Sequence, residues 1–302
     1  MRKKKDLVEI FGYAPDDLSK DARSLWNIGG CPFVNKPCIK INHDQSITYG
    51  TCSVTSPYGD IIICPNRLYA NNYDILKHVS HDAFGNIPFF LFAQYIENRT
   101  KINECIVALG KNSGKEVQIG RHLSMDWVLA KVINTKLIAY VGIEIQSIDI
   151  TGNYRDAWHG YKNLPKTNIP IESIPSSNHG LNWANVHKRI IPQLIRKGVI
   201  YSRSNLVEKG LYFILPEIVY KKFEDVIGKD IATVGCASHD TLTVLTYELG
   251  KNVESGFQRE LVKVRKLRFT LDEFSSRFIS GPNLPAGEEL DVAIKRILGA
   301  EY

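Results

Sequence analysis

The chain has 302 residues, 44% hydrophobic and 23% charged, an ordinary globular composition that excludes a disordered or low-complexity polymer. Its formal charge of +6 suits a polyanionic partner without requiring one. The longest apolar run, "IPFFLFAQYI" from Ile87 to Ile96, is about half of what a bilayer crossing needs, so no membrane segment is expected.

The basic start "MRKKK" is not followed by the apolar stretch of a secretory leader. A cytoplasmic protein with reduced thiols is therefore expected. Four of the six cysteines, Cys31, Cys38, Cys52 and Cys64, fall in one segment of short strands and turns. "INHDQSITYGTCSV" predicts a hairpin there, and "GDIIICPN" a strand ending in proline. So small a segment cannot hold itself together by burial alone. Four thiolates suit one tetrahedral Zn²⁺ or Fe ion, whose coordination would supply the missing folding energy. Four free thiols are the alternative. Cys105 and Cys236 read as core thiols, because no paired His accompanies either.

Downstream, Asn72 to Tyr95 predicts helix, and "ECIVALG" and "KEVQIG" predict strands. "MDWVLAKV" and "LIAYVGIEIQSIDI", separated by "INTK", predict an antiparallel hairpin carrying Asp126 on one strand and Glu144 with Gln146 on the other. In "SSNHGLNWANVHKRIIPQLIRKG", Asn182 predicts a helix N-cap, Pro192 a kink and Gly198 the stop. Strands at "GLYFILP" and "LVKVRKLRF" and a helix at "GEELDVAIKRIL" complete the pattern. The alternation predicts an α/β (α+β) fold: a mixed sheet flanked by helices, with residues 1–70 as an N-terminal cysteine module and 71–302 as the core.

The stretch "YVGIEIQSIDI" sets the functional question. Side chains alternate along a strand, so Glu144 and Gln146 share a face with Gly142, while Val141, Ile143 and Ile145 fill the other. A carboxylate at the edge of a core is costly unless a cation compensates it. Mg²⁺ takes hard oxygen donors, and Asp126, Glu144 and the carbonyl of Ile145 are a fitting set. Against this stands a plainer reading: Glu144 and Gln146 face solvent on an edge strand and Asp126 caps a turn.

Met125-Asp126 followed by Glu144-Ile145-Gln146 resembles the active site of PD-(D/E)xK nucleases, with Gln where Lys usually stands. The segments "DWVLAKV" and "EIQSIDITGNYRDA" resemble the catalytic region of the NotI family of type II restriction endonucleases, which also uses ExQ. The cysteine block, "GKEV" and "LNWANVHKRIIPQL" are similar to other parts of that family. The resemblance implies a PD-(D/E)xK restriction-endonuclease-like core. It implies Glu116, Asp126 and Glu144 as Mg²⁺-binding carboxylates, Gln146 as a fourth catalytic residue, and Cys31, Cys38, Cys52 and Cys64 as ligands of a structural Fe or Zn. It further implies a bacterial homodimer cutting a GC-rich palindrome in double-stranded DNA, with a cognate DNA methyltransferase in the host but no direct contact with it. The rival readings are a metal-ribbon DNA-binding protein with a silent carboxylate hairpin, and a repair or junction nuclease of the same fold.

Two basic clusters are candidate phosphate contacts or solvated faces: Lys188, Arg189, Arg196 and Lys197, and then Lys263, Arg265, Lys266 and Arg268. His179 and His187 lack the pairing of metal ligands and read as satisfied surface or interface histidines.

Overall fold

The structure is a computed structural model and describes residues 5–119, 123–167, 169–282 and 284–299. Strand β1 (Leu7–Ile10) and helix α1 (Lys20–Ile28) lead into the cysteine segment, which ends in β2 (Thr51–Ser56) and β3 (Gly59–Ile62). Then follow α2 (Ala70–Phe84), β4 (Phe89–Leu91), α3 (Phe92–Asn98), β5 (Glu104–Gly110), β6 (Trp127–Ile133) and β7 (Lys136–Ile145). Beyond the hairpin lie α4 (Arg155–Asn163), α5 (Ile191–Ser202), β8 (Val207–Pro216), α6 (Glu217–Ile227), β9 (Thr241–Leu249), β10 (Leu261–Thr270), α7 (Leu271–Ser280) and α8 (Gly287–Leu298).

Among the described residues, β10-β9-β8-β7-β6-β5-β4 form one mixed seven-stranded sheet in that order. The pairs β7/β8, β8/β9 and β4/β5 are parallel; β5/β6, β6/β7 and β9/β10 are antiparallel. Parallel neighbours need crossovers, and α4 with α5, then α6, provide them on one face. Trp158, Ile191, Leu194, Val219 and Phe223 from those helices pack on Val128, Leu211, Phe213 and Val244. The opposite face, bearing Val141, Ile143, Ile145, Tyr212 and Ile214, meets Leu76 and Val79 of α2 together with Cys31, Cys52 and Phe33. Residues of the N-terminal segment thus contribute to both apolar clusters, with Leu7, Ile10 and Val54 in the first. The expected mixed sheet flanked by helices is present. No helix among the described residues is long and apolar enough to cross a membrane.

Several local expectations change. The helix predicted over Asn72 to Tyr95 is interrupted: α2 ends at Phe84 before Gly85, and Pro88 introduces β4. The expected 41–54 hairpin shrinks to one Ile41–Thr48 bridge, closed where Asn42 Oδ1 accepts the Ile47 N–H at 2.8 Å. Strand β2 pairs instead with β1 and β3. Gly198 does not stop its helix. It lies inside α5, where a Cβ would sit 2.6 Å from Leu271, so it permits close packing on α7. Pro192 follows a π-helical turn over Val186–Ile190, the local adjustment that accommodates its missing N–H. Cys105 is buried as expected, but Cys236 is exposed and is no core thiol.

The cysteine segment is anchored by a fully buried ion pair. Arg67 donates to both carboxylate oxygens of Glu9 at 2.9 and 3.0 Å, and Ser53 Oγ donates to Oε2 at 2.9 Å. Arg67 also donates to the carbonyl of Arg259 at 2.6 Å, tying the segment to the loop before β10.

Candidate active site

Strands β6 and β7 pair with Trp127 opposite Ile143 and Val128 opposite Gly142. One step further along that register, Asp126 lies opposite Glu144. The two carboxyl groups brace each other's strands: the N–H of Ile145 donates to Asp126 Oδ2 at 2.9 Å, and the N–H of Asp126 faces Glu144 Oε1 at 3.5 Å. Asp126 sits in the bend just ahead of β6 rather than inside a strand. A short antiparallel pair, Val117–Ile119 with Leu123–Met125, sets Val117 opposite Met125 and so brings Glu116 toward Asp126. Glu116 is half-buried, and Gln118 Nε2 donates to it at 3.3 Å. The three acidic positions therefore follow one another across the ends of adjoining strands.

The packing behind Asp126 is aromatic. Trp127 Nε1 donates to Tyr69 Oη at 2.9 Å, and the Trp127 ring meets Tyr69 and Tyr73 edge-on at 5.7 and 5.4 Å. Tyr73 is held at a φ of +60°, the last of three left-handed residues after Asn71 and Asn72. Asn tolerates that conformation; a tyrosine does not adopt it without tertiary support. The buried ring supplies that support.

Glu144 carries an unforeseen partner. Its Oε2 accepts a hydrogen bond and ion pair from Lys197 Nζ of α5, with side chains only 5% and 12% exposed. Gln146, whose N–H donates to Ile214 O at 3.0 Å, shares the same small pocket with Gln193, Lys197 and Phe213. In the sequence Lys197 is one of four basic positions that read either as phosphate contacts or as a solvated face. No periodicity could pair it with a strand residue 53 positions earlier, because that contact exists only once α5 lies on the sheet.

Burial, then the neighbouring Asp126 charge, pushes the Glu144 carboxyl up to about 8 against the opposing pull of Lys197. Burial likewise raises Asp126, with Glu116 adding a smaller push and the Ile145 N–H and Lys197 opposing it. Two carboxylates and one ammonium leave a surplus negative charge in a place water barely reaches. A proton or a hard cation relieves it. Among the described residues, no three His, Cys, Asp or Glu side chains are disposed to hold a metal ion as they stand. Asp126 and Glu144 supply two facing carboxylates, the side-chain count at which Mg²⁺ fills its shell with water and carbonyl oxygen.

Cys31, Cys52 and Cys64 are buried and Cys38 is half-buried. They lie near enough to perturb one another: Cys64 and Cys38 raise Cys52, and Cys38 and Cys31 raise Cys64. Burial is the larger cause in each case, pushing Cys64 up to about 11. Backbone N–H groups of Phe33 and Val34 point at the Cys31 sulfur, and the Lys40 N–H lies 3.4 Å from that of Cys38. Such donors favour thiolate, so the chemistry of the set fits Zn²⁺ or Fe, although the sulfurs do not close on one point as they stand.

In the second basic cluster, acids of this chain take three of the four cations. On β10, Arg265 is bonded by Glu217 and Glu224, and Lys266 and Arg268 by Asp82. These three neutralise internal acids, which leaves them poorly placed as phosphate contacts. Lys188 and Arg189 in the π-helical turn and Arg196 in α5 are exposed. His179 is satisfied, between Ser177 Oγ at 2.6 Å and Thr55 O at 2.8 Å, but it is buried rather than at a surface. No family model and no curated protein matches this chain.

Proposed function

We propose that the chain is a Mg²⁺-dependent nuclease of the PD-(D/E)xK type, acting as a homodimeric type II restriction endonuclease on a GC-rich palindrome in double-stranded DNA. One observation carries this reading: Asp126 and Glu144 face each other at the β6–β7 register, where burial pushes both carboxyls up and so favours a proton or a hard cation between them. A two-fold substrate favours a two-fold enzyme with one such pocket per strand. Lys188, Arg189 and Arg196, exposed on the helical segment that carries Lys197, suit phosphate neutralisation.

In this reading Asp126, Glu144 and the carbonyl of Ile145 would hold Mg²⁺, with Glu116 farther out. When bound, the ion supplies charge neutralisation at phosphorus and a more acidic water. Gln146 cannot accept a proton, so it orients the attacking water through its amide. Water oxygen bonds to phosphorus, the bond to the leaving ester oxygen breaks, the water's proton leaves through a phosphate oxygen, and the leaving oxygen takes a proton from solvent. Cys31, Cys38, Cys52 and Cys64 would hold the structural Zn²⁺ or Fe, away from the chemistry.

The test is digestion of high-GC genomic and plasmid DNA in Mg²⁺. Discrete plasmid bands abolished by EDTA are expected. Uncut DNA overturns the reading, and a smear or junction-specific products move it to the repair-type nuclease.

A further inference from the structure

We infer that helix α8 of a second copy of this chain lies in an apolar groove on the sheet, and that the exchange is reciprocal. The inference rests on the homodimer of the reading above and gives that dimer its contact surface.

In α8, Leu290, Ile294 and Ile297 stand four and three residues apart, so they form one apolar stripe. They are 64%, 45% and 83% exposed, and none of the helix's 12 residues is buried. The groove is the matching concave surface. It measures about 490 Å³, with Leu109, Val128, Ala130 and Val132 of the sheet as its floor and Tyr95 of α3 and Tyr201 of α5 in its walls. From Met125 to Val132 it follows roughly 23 Å of chain, room for the roughly 18 Å of a 12-residue helix.

Charge sets the direction. Exposed Lys136, Arg203 and Arg99 stand at the Val132 end: Lys136 adjoins groove-lining Leu137, Arg203 follows Tyr201, and Arg99 is one helical turn beyond Tyr95. Glu104 at that end is already held by Lys131. Glu288, Glu289 and Asp291 open α8, so its N-terminal end meets these cations.

The chain's own α8 is badly placed for this groove. Helix α7 begins against α5, where Leu271 meets Gly198, and ends against α6, where Gly281 meets Val226 and Pro282 meets Gly228. It therefore leads away from the groove, which lies on the other side of α5. The six residues from 281 to 286 span at most about 20 Å, whereas the way back takes two interhelical spacings of about 8–10 Å and a climb over α5. A second copy meets no such limit. One helix in one groove buries on the order of 1,000 Å², and a two-fold pair makes the contact twice, enough for a stable dimer.

The experiment is sedimentation equilibrium of the full chain without DNA. The intact chain should be a dimer at micromolar concentration. Leu290→Asp with Ile294→Asp should weaken association at least about a hundredfold, since each side chain is lost twice. Both positions are exposed in the protomer, so the variant keeps its fold, which circular dichroism verifies. Leu137→Glu, at a half-exposed position of the groove, should weaken association likewise. With Cys236→Ser removing the exposed native thiol, a mixture of Leu290→Cys and Leu137→Cys chains should cross-link between copies under mild oxidation. A monomeric parent, a dimer indifferent to the α8 changes, or Leu290→Cys linking only to itself overturns the inference. Plasmid cleavage keeps the two readings apart: a monomer that cuts DNA overturns this inference alone, and a dimer held by α8 that leaves DNA uncut overturns only the cleavage.

Discussion

The backbone N–H of Ile145 lies 2.9 Å from Oδ2 of Asp126, so the strand bearing Glu144 also holds the other carboxylate. The two acids form one unit, in which an amide keeps an acceptor oxygen for the backbone while losing the charge. Asp126→Asn and Glu144→Gln should each fold and bind DNA. Cleavage should fall by about a thousandfold, a loss of several kcal/mol of transition-state stabilisation. Plasmid cleavage alongside gel-shift measurement checks this, and a Glu144→Gln protein that still cuts at the normal rate contradicts the assignment.

The same burial makes stability depend on pH. The Glu144 carboxyl sits near 8 in the folded chain against an ordinary value of 4.5. Between those limits the folded protein keeps a proton that the unfolded chain has released, so stability falls as pH rises. The slope from one such group approaches roughly 1.4 kcal/mol per pH unit inside the window. Asp126, raised for the same reason, adds to the slope at the acidic end. Urea melts from pH 5 to pH 8 should show the metal-free parent losing stability relative to Glu144→Gln. Parallel curves for the two proteins would contradict a Glu144 carboxyl raised by burial.

For the cysteine segment, elemental analysis of the purified chain should find about one Zn or Fe per molecule, bound by four thiolates. Cys38→Ser or Cys64→Ser should lose that metal and lower the melting temperature. Because the thiols are pushed up by burial, metal uptake should release protons and weaken as pH falls. A metal-free Cys64→Ser protein as stable as its parent would remove the structural role.

The Glu9–Arg67 pair offers a test independent of any function. Both side chains are almost wholly inaccessible, and Arg67 also serves the Arg259 carbonyl. Removing one partner strands the other charge, so Arg67→Met should cost about 3–5 kcal/mol in denaturant unfolding. The double replacement with Glu9→Leu should recover much of that loss. A loss below about 1 kcal/mol for the single change would mean that water reaches the pair.

Legibility differed from place to place for physical reasons. The β6–β7 hairpin was plain because period-two alternation and a polar break are local signals, and the predicted faces hold: Val141, Ile143 and Ile145 are buried opposite the Glu144 face. Gly198 misled because its usual message, a helix end, gave way to close contact with Leu271, which belongs to a distant helix. Arg265, Lys266 and Arg268 read only as phosphate contacts or a solvated face because their acidic partners lie up to 186 positions away.

By itself the amino-acid sequence carried strands β5 to β8 and β10, helices α2, α5 and α8 and the pairing of Asp126 with Glu144, since each depends on neighbours a few residues apart or on one hairpin register; β9 and helices α1, α4, α6 and α7 were not legible in it. Tertiary structure alone decided which charges those acids meet. Lys197 comes to Glu144, and Tyr69 with Tyr73 backs Trp127, only after α5 and α2 have settled on opposite faces of the sheet. Electrostatics in a buried pocket depends on distance and exclusion of water, and neither is written in the spacing of residues along a chain.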